Sequence, residues 1–353
     1  MTRTWRTRLA GALAVLVCVA STSCQTAPPE FPIGMTVHLR GADAATLSRQ
    51  FDLMNRMHVT WVRVDVDWSA VEPERGQFDW SYPDRLIEAA SARDMKVLIV
   101  LAFSPAWTRA VPADPAGKTS HLRPDQTSEF ANFARTAAER YAARGVGGWE
   151  IWNEPNSTKF WPPQPDADEY GALFRAAATA IRDVDAKATL LIGGLAPRYD
   201  GPDAGVAPTD YLNRLYDDGT AQLADAIAVH PYSFPALPND ASSKNIVGGF
   251  ADLPALYGVM SKRGDGGKKI WITEFGAPTG TGPNAVSDAD QSKALMQARK
   301  DVRGWEWAGP LMYYELVDGG TNLAEIEDNF GVLRVDLSLK PAAKALIDAD
   351  DEQ

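Results

Sequence analysis

Two cysteines, Cys18 and Cys24, are all that this chain of 353 residues contains. Cys18 lies in a segment that reads as a removable leader, so the mature chain holds at most one thiol and no internal disulfide, and its stability must come from core burial. Also missing is an apolar run long enough to cross a bilayer. The N-terminal run LAGALAVLVCVA, residues 9 to 20, is about 12 residues long where roughly 20 are needed. Positive charge is scarce as well: 35 Lys and Arg face 46 Asp and Glu, a net charge of -11 that falls to near -14 once Arg3, Arg6 and Arg8 leave with the leader. Such a balance excludes nucleic acid and an anionic membrane surface as natural partners. No heptad, low-complexity tract or long linker interrupts residues 33–349, which read as one domain.

What is present begins with an export signal over residues 1–23: three arginines, the apolar run, then the small residues STSC. Cys24 resembles the lipid-modified cysteine of bacterial lipoproteins, although Ser21 stands where that motif has an aliphatic residue. Lipid anchoring to the membrane and ordinary secretion both stay open. Residues 24–32 form a polar, Pro-rich tether, and residues 350–353 an acidic, solvated tail.

Between these ends, eight short apolar runs alternate with stretches of helical period. The runs cover residues 33–39, 59–66, 96–103, 148–153, 188–194, 226–232, 269–276 and 309–316. Segments such as 124–145 and 166–184 carry the helical pattern. Near-continuous apolar runs suit parallel strands covered on both faces, and eight βα units in series predict an α/β fold, the closed (β/α)8 TIM barrel. In that fold the loops after the strands carry the active site.

Polar groups gather at one end of six runs: His38, Arg63 with Asp65, Asn153 with Glu154, His230 with Tyr232, Glu274, and Glu315. One polar strand end is a cap or a turn; six facing one mouth describe a site. Glu154 and Glu274 close strands that are otherwise apolar, and a pair of carboxylates on one cavity is what glycoside hydrolysis needs. One must give a proton to the leaving oxygen, while the other attacks or activates water. Alternation along WEIWNEPN puts Trp149, Ile151 and Asn153 on one face and Glu150, Trp152 and Glu154 on the other. Glu150 is then expected toward the closed end, paired or hydrogen-bonded. Trp61, Trp149 and Trp271 are expected to pack the barrel, whereas Trp107 and Trp161, in loops, are expected as exposed indoles that stack on a sugar face.

WNEPN at residues 152–156 with TEFG at 273–276 resembles the signature of the retaining clan A of (β/α)8 glycoside hydrolases. WSAVEPERGQFDW (68–80) and HPY (230–232) are similar to further segments of that clan. YYELVDGG and EDNFGVLRVDLSLKPAAKAL, within 313–346, are similar to the end of family 39 members, in particular the branch acting on bacterial exopolysaccharides and named β-xylosidase-like. Many β-xylosidases of that family carry a β-sandwich after the barrel, whereas this sequence ends soon after its eighth apolar run, so the expectation is the barrel-only branch, with residues 33–349 as the catalytic domain.

The resemblance implies Glu154 as general acid/base, Glu274 as nucleophile and Asn153 as the partner of the hydroxyl next to the anomeric carbon. Arg63 would keep the nucleophile ionised and Tyr232 would donate to it. His230 and His38 would stand in or just behind the sugar site, while for Glu315, a third carboxylate at the mouth, binding a sugar hydroxyl and pairing with a neighbouring Arg both stay open. No metal or organic cofactor is implied, and the expected partner of this monomer is an oligo- or polysaccharide, β-linked, in or near the cell envelope. Two other readings share these residues: a transglycosidase that remodels envelope glycan, and a catalytically silent carbohydrate-binding barrel, which would need Glu154 or Glu274 lost or misplaced.

Overall fold

Each of the eight apolar runs forms a strand. The computed structural model describes residues 1–2, 31–39, 41–109, 121–198 and 205–349. The expected export signal from residue 3 onward, with Cys24, most of the expected tether and the acidic tail lie outside the described residues. Contacts divide the chain after Glu30, and the barrel occupies the second unit, Phe31–Gln353. Among the described residues no helix is long and apolar enough to cross a membrane.

The strands are β1 (Ile33–Val37), β2 (Trp61–Asp67), β3 (Lys96–Ala102), β4 (Val146–Asn153), β5 (Leu190–Leu195), β6 (Ala226–Val229), β7 (Lys269–Phe275) and β8 (Ala308–Tyr313). Every neighbour pairs in parallel and β1 pairs β8, so the sheet closes in sequence order. Around it lie α1 (Ala44–Arg56), α2 (Trp68–Val71), α3 (Ser81–Ser91), α4 (Thr127–Tyr141), α5 (Ala167–Val184), α6 (Pro208–Asp217), α7 (Thr220–Leu223), α8 (Leu253–Lys262), α9 (Asp288–Arg303) and α10 (Pro341–Asp348). The expected (β/α)8 TIM barrel is the fold. Helix α5 shows why the pattern was readable: the Asp166 carboxylate accepts from the backbone N–H of Asp168 and Glu169, and Tyr170, Phe174, Ala177 and Ile181 bury one stripe.

Strands β1, β6 and β8 stop short of the apolar runs that announced them. Pro231 lacks the N–H needed to extend β6, and His38, His230 and Glu315 consequently sit just past strand ends, at the mouth. Inside the barrel, β2 alternates cleanly: Val62, Val64 and Val66 join the outer core against the helices, while Trp61, Arg63 and Asp65 point inward. Toward the closed end, Trp61 and Trp271 meet edge to face with centroids 5.0 Å apart, packed with Leu98, Leu191 and Met312. Gly309 makes room for them, since a Cβ there would lie 2.4 Å from the Trp271 ring. Trp149, by contrast, packs outside the barrel in the helix-facing core. Apolar packing fills the lower barrel, and polar chemistry begins above it.

Candidate active site

Arg63 organises the layer beneath the mouth. Its side chain is 1% exposed. Nη2 donates to Glu150 Oε1 at 2.9 Å and to Asn153 Oδ1 at 2.9 Å, and Nη1 donates to Glu274 Oε1 at 2.5 Å. A buried guanidinium is stable only when its charge is matched, and three acceptors from two strands supply the match. Burial alone would raise the Glu150 pKa, but the Arg63 charge and then His230 pull it down to about 2. The Arg63 pKa moves upward: its carboxylate neighbours Glu150, Glu274 and Asp65 outweigh the burial that opposes them.

The expected pairing of Glu150 is therefore present, but not at the closed end: it lies one layer below the mouth, on the guanidinium that also holds Glu274. Removing one partner of a buried ion pair leaves an uncompensated charge. Glu150→Ala is expected to destabilise the fold by about 3–5 kcal/mol, read by urea unfolding; a loss under about 1 kcal/mol would contradict this role.

Glu154 and Glu274 face one another across the mouth. One carboxylate oxygen of each, together with a ring nitrogen of His230, lies within 4.8 Å of the others. Tyr232 Oη donates to Glu274 Oε2 at 2.6 Å. Burial, then the Glu274 charge, pushes the Tyr232 phenol up, so it stays a donor at neutral pH. His230 Nδ1 lies 2.9 Å from Glu154 Oε1 and 3.5 Å from Glu274 Oε2, and its Nε2 reaches Thr273 Oγ1 at 3.1 Å. The ring fits because residue 194 is glycine: a Cβ there would lie 2.0 Å from His230 Nε2.

Burial alone would discharge His230. The charge of Glu274 and hydrogen bonds to Glu150 and Glu154 overcome burial and the nearby Arg63, raising its pKa from 6.5 to about 9. The imidazolium's Nδ1–H then donates to Glu154. Three donor atoms this close could hold a divalent ion, but a protonated imidazole has no lone pair to offer, and Arg63 already neutralises Glu274. Because the folded pKa exceeds the unfolded value, the His230 contribution to stability is full below pH 6.5 and is lost as pH rises through about 9. The thermal midpoint is expected to fall over that window, and His230→Asn to flatten the fall; an unchanged pH profile in the variant would contradict the charged pairing.

The remaining predicted residues divide. His38 lines the cavity, with Nε2 3.0 Å from Asp65 Oδ2 and Nδ1 2.8 Å from Glu315 Oε2. Burial opposes its charge, yet the hydrogen bonds and charges of these two carboxylates raise its pKa to about 10. Glu315 pairs with this histidine, not with an arginine, and burial pushes its own pKa up. Arg63, His230 and Glu315 are buried and do not line the cavity; their contacts are with the carboxylates or with His38.

Both loop tryptophans depart from expectation. Trp161 is 1% exposed, packed edge on to Trp152 and Tyr170. Trp107 donates from Nε1 to the Glu72 carbonyl at 3.0 Å, and the Arg75 guanidinium lies 4.5 Å from its ring centroid. Neither lines the cavity.

Simple alternation also fails at the end of β4. Trp152 and Glu154 have φ of 69° and 45°, a region that costs a bulky residue about 1–3 kcal/mol. The double reversal turns the Trp152 ring outward against Phe130 and Trp161 and lets Asn153, with Glu150, meet Arg63. Asn156, which the sequence reading missed, holds the turn: its Nδ2 donates to the Ala196 and Val206 carbonyls, both at 2.8 Å, and its Oδ1 accepts from Ala196 N at 2.9 Å.

The cavity over the two glutamates measures about 660 Å³, within the range for sites that enclose a compact ligand. Of its aromatic walls, Tyr232 alone was foreseen. Phe103, His121 and Phe160 cluster beside the β3 and β4 loops, while Tyr232, Phe234, Tyr314 and Phe330 form the facing wall. Lys159 and Glu327, from loops after the opposed strands β4 and β8, form a 3.6 Å ion pair across the mouth.

A closed parallel barrel with Asn153 and Glu154 ending β4 and Glu274 on β7 has the architecture of the clan A glycoside hydrolases. The model described as cellulase (glycosyl hydrolase family 5) matches residues 27–309, and the chain belongs to that family. Solved family 39 enzymes share the fold. A family 39 glycoside hydrolase from Bacteroides cellulosilyticus WH2 superposes with a TM-score of 0.71 at 24% identity, over 90% of this chain and 63% of that one. A family 39 β-xylosidase from Caulobacter crescentus gives 0.66 at 16% identity, over 91% and 71%. In sequence, 150 residues are 29% identical to a β-xylosidase of Geobacillus stearothermophilus, covering 38% of this chain and 27% of that enzyme. The chain thus spans only part of these relatives.

Proposed function

We propose that this protein is a retaining glycoside hydrolase that cleaves β-glycosidic bonds by double displacement. The observation that carries the reading is a pair of carboxylates on one cavity with an oxygen of each within 4.8 Å of the other. Inversion needs roughly 6.5 Å or more between the carboxyl groups to admit a water, whereas retention uses about 5–5.5 Å. Glu274 accepts hydrogen bonds from the Arg63 guanidinium and the Tyr232 hydroxyl, one on each oxygen, which fix its direction toward the cavity. It attacks the anomeric carbon as the bond to the leaving oxygen breaks, and Glu154 protonates that oxygen. In the second step Glu154 removes a proton from water, whose oxygen displaces Glu274. Asn153, which lines the same cavity, bonds the neighbouring hydroxyl in this reading.

The substrate we propose is an extracellular or cell-envelope polysaccharide. Support comes from the leader-like N-terminus, with Cys24 as a point of lipid attachment or the protein simply secreted, and from the family's association with glycans. A panel of aryl β-glycosides, envelope glycans and plant glycans, incubated with wild type and Glu274→Gln and read by product mass, tests this. Oligosaccharides longer than the substrate would point to transglycosylation, and no wild-type products on any glycan would reject the reading.

A further inference from the structure

Lys340, just before α10, is fully buried, outside the cavity, and unused by the reaction above. A lysine at this depth calls for a reason, because an apolar side chain of similar volume fills such a space at lower cost. Its Nζ donates to Asp318 Oδ1 at 2.6 Å, to Thr279 Oγ1 at 2.9 Å and to the Asn329 carbonyl at 3.2 Å. Thr279 adds its own N–H at 3.0 Å and its hydroxyl at 3.2 Å to that same carbonyl. Three donors therefore converge on one backbone oxygen, joining the segments that follow β7 and β8.

The residue after that carbonyl is Phe330, part of the cavity wall. Its ring packs edge on against Tyr314, at 5.2 Å and 77°, and against Tyr232, at 5.8 Å and 62°. Tyr232 is the donor to Glu274 Oε2. A connected path thus runs from the ammonium through Asn329 and Phe330 to the phenol on the carboxylate.

We propose that Lys340 is a positioning residue for the nucleophile: by fixing the Asn329 carbonyl it sets Phe330 and hence the angle at which Tyr232 meets Glu274. This rests on the assignment of Glu274 above. Contact with Asp318 at 2.6 Å aims the side chain, and the three hydrogen bonds it makes define one position for the loop.

The test is the paired variant Lys340→Met with Asp318→Asn, which removes the ammonium donor without stranding a buried charge and leaves the two Thr279 donors in place. On the best aryl β-glycoside, kcat is expected to fall about 10-fold, the cost of weakening one hydrogen bond to a charged group, with KM changed by less than about twofold. In a Tyr232→Phe background the same pair of changes should cost no further turnover. Wild-type kcat in the paired variant, or an equal further loss without the Tyr232 hydroxyl, would overturn the proposal. Hydrogen exchange of residues 322–333 is read on the same proteins and is expected to quicken; unchanged exchange overturns the proposal whether or not any glycoside is turned over. Absence of wild-type turnover counts instead against the Glu274 assignment, and the exchange result then decides the role of Lys340.

Discussion

Replacement of Glu274 by glutamine is expected to lower kcat by about 10⁴- to 10⁶-fold, the range seen when a covalent nucleophile is removed from an otherwise intact site. The amide keeps the shape of the carboxylate; its oxygen can still accept from Arg63 while its N–H donates to the Tyr232 oxygen, so the fold should survive. Arg63 also retains Glu150 at 2.9 Å as its matched anion. What disappears is the negative charge that attacks the anomeric carbon. Substrate should therefore still bind, with a Kd near the wild-type KM, while no glycosyl adduct forms. Intact-protein mass spectrometry of the wild type under turnover by a slow substrate should show one added glycosyl unit, absent in the variant. Residual kcat within about tenfold of wild type would remove Glu274 from the reaction.

Glu154→Gln should show a different signature. A sugar leaving group needs a proton as its bond breaks, and loss of the acid is expected to cost about 10²- to 10⁴-fold. A dinitrophenolate leaves unaided, so glycosylation of Glu274 should stay fast with that substrate. The second step still needs a base for water, so the intermediate should accumulate as a burst. Azide carries no proton to lose and should restore turnover, giving a β-glycosyl azide. Equal losses on good and poor leaving groups, with no azide effect, would move the acid/base role away from Glu154. His230→Asn tests the same pair from behind, since the imidazolium donates to Glu154 at 2.9 Å.

Much of this was legible because barrels repeat. Burial on both faces forces apolar runs, and a helix between each pair forces the alternation, so eight runs became eight strands in order. Chemistry was legible where a polar residue interrupts a strand end, as at Asn153, Glu154 and Glu274. Partners were less so: Glu150 and Arg63 lie 87 residues apart, and only barrel closure brings them together. The faces of Trp152 and Asn153 at the end of β4 were misread because alternation assumes extended backbone, and positive φ at Trp152 and Glu154 breaks it. Loop side chains obeyed no period at all. In KFWPP the indole of Trp161 turned into the core and Phe160 took the place on the cavity wall.

The most direct measurement is the configuration of the first product. Proton NMR of the earliest sugar released from an aryl β-glycoside, before mutarotation, should show the β-anomer, because two displacements at one carbon restore its configuration. An α-anomer formed first would mean that water attacks directly. Glu274 would then be a base and not a nucleophile, and the double displacement proposed here would be wrong.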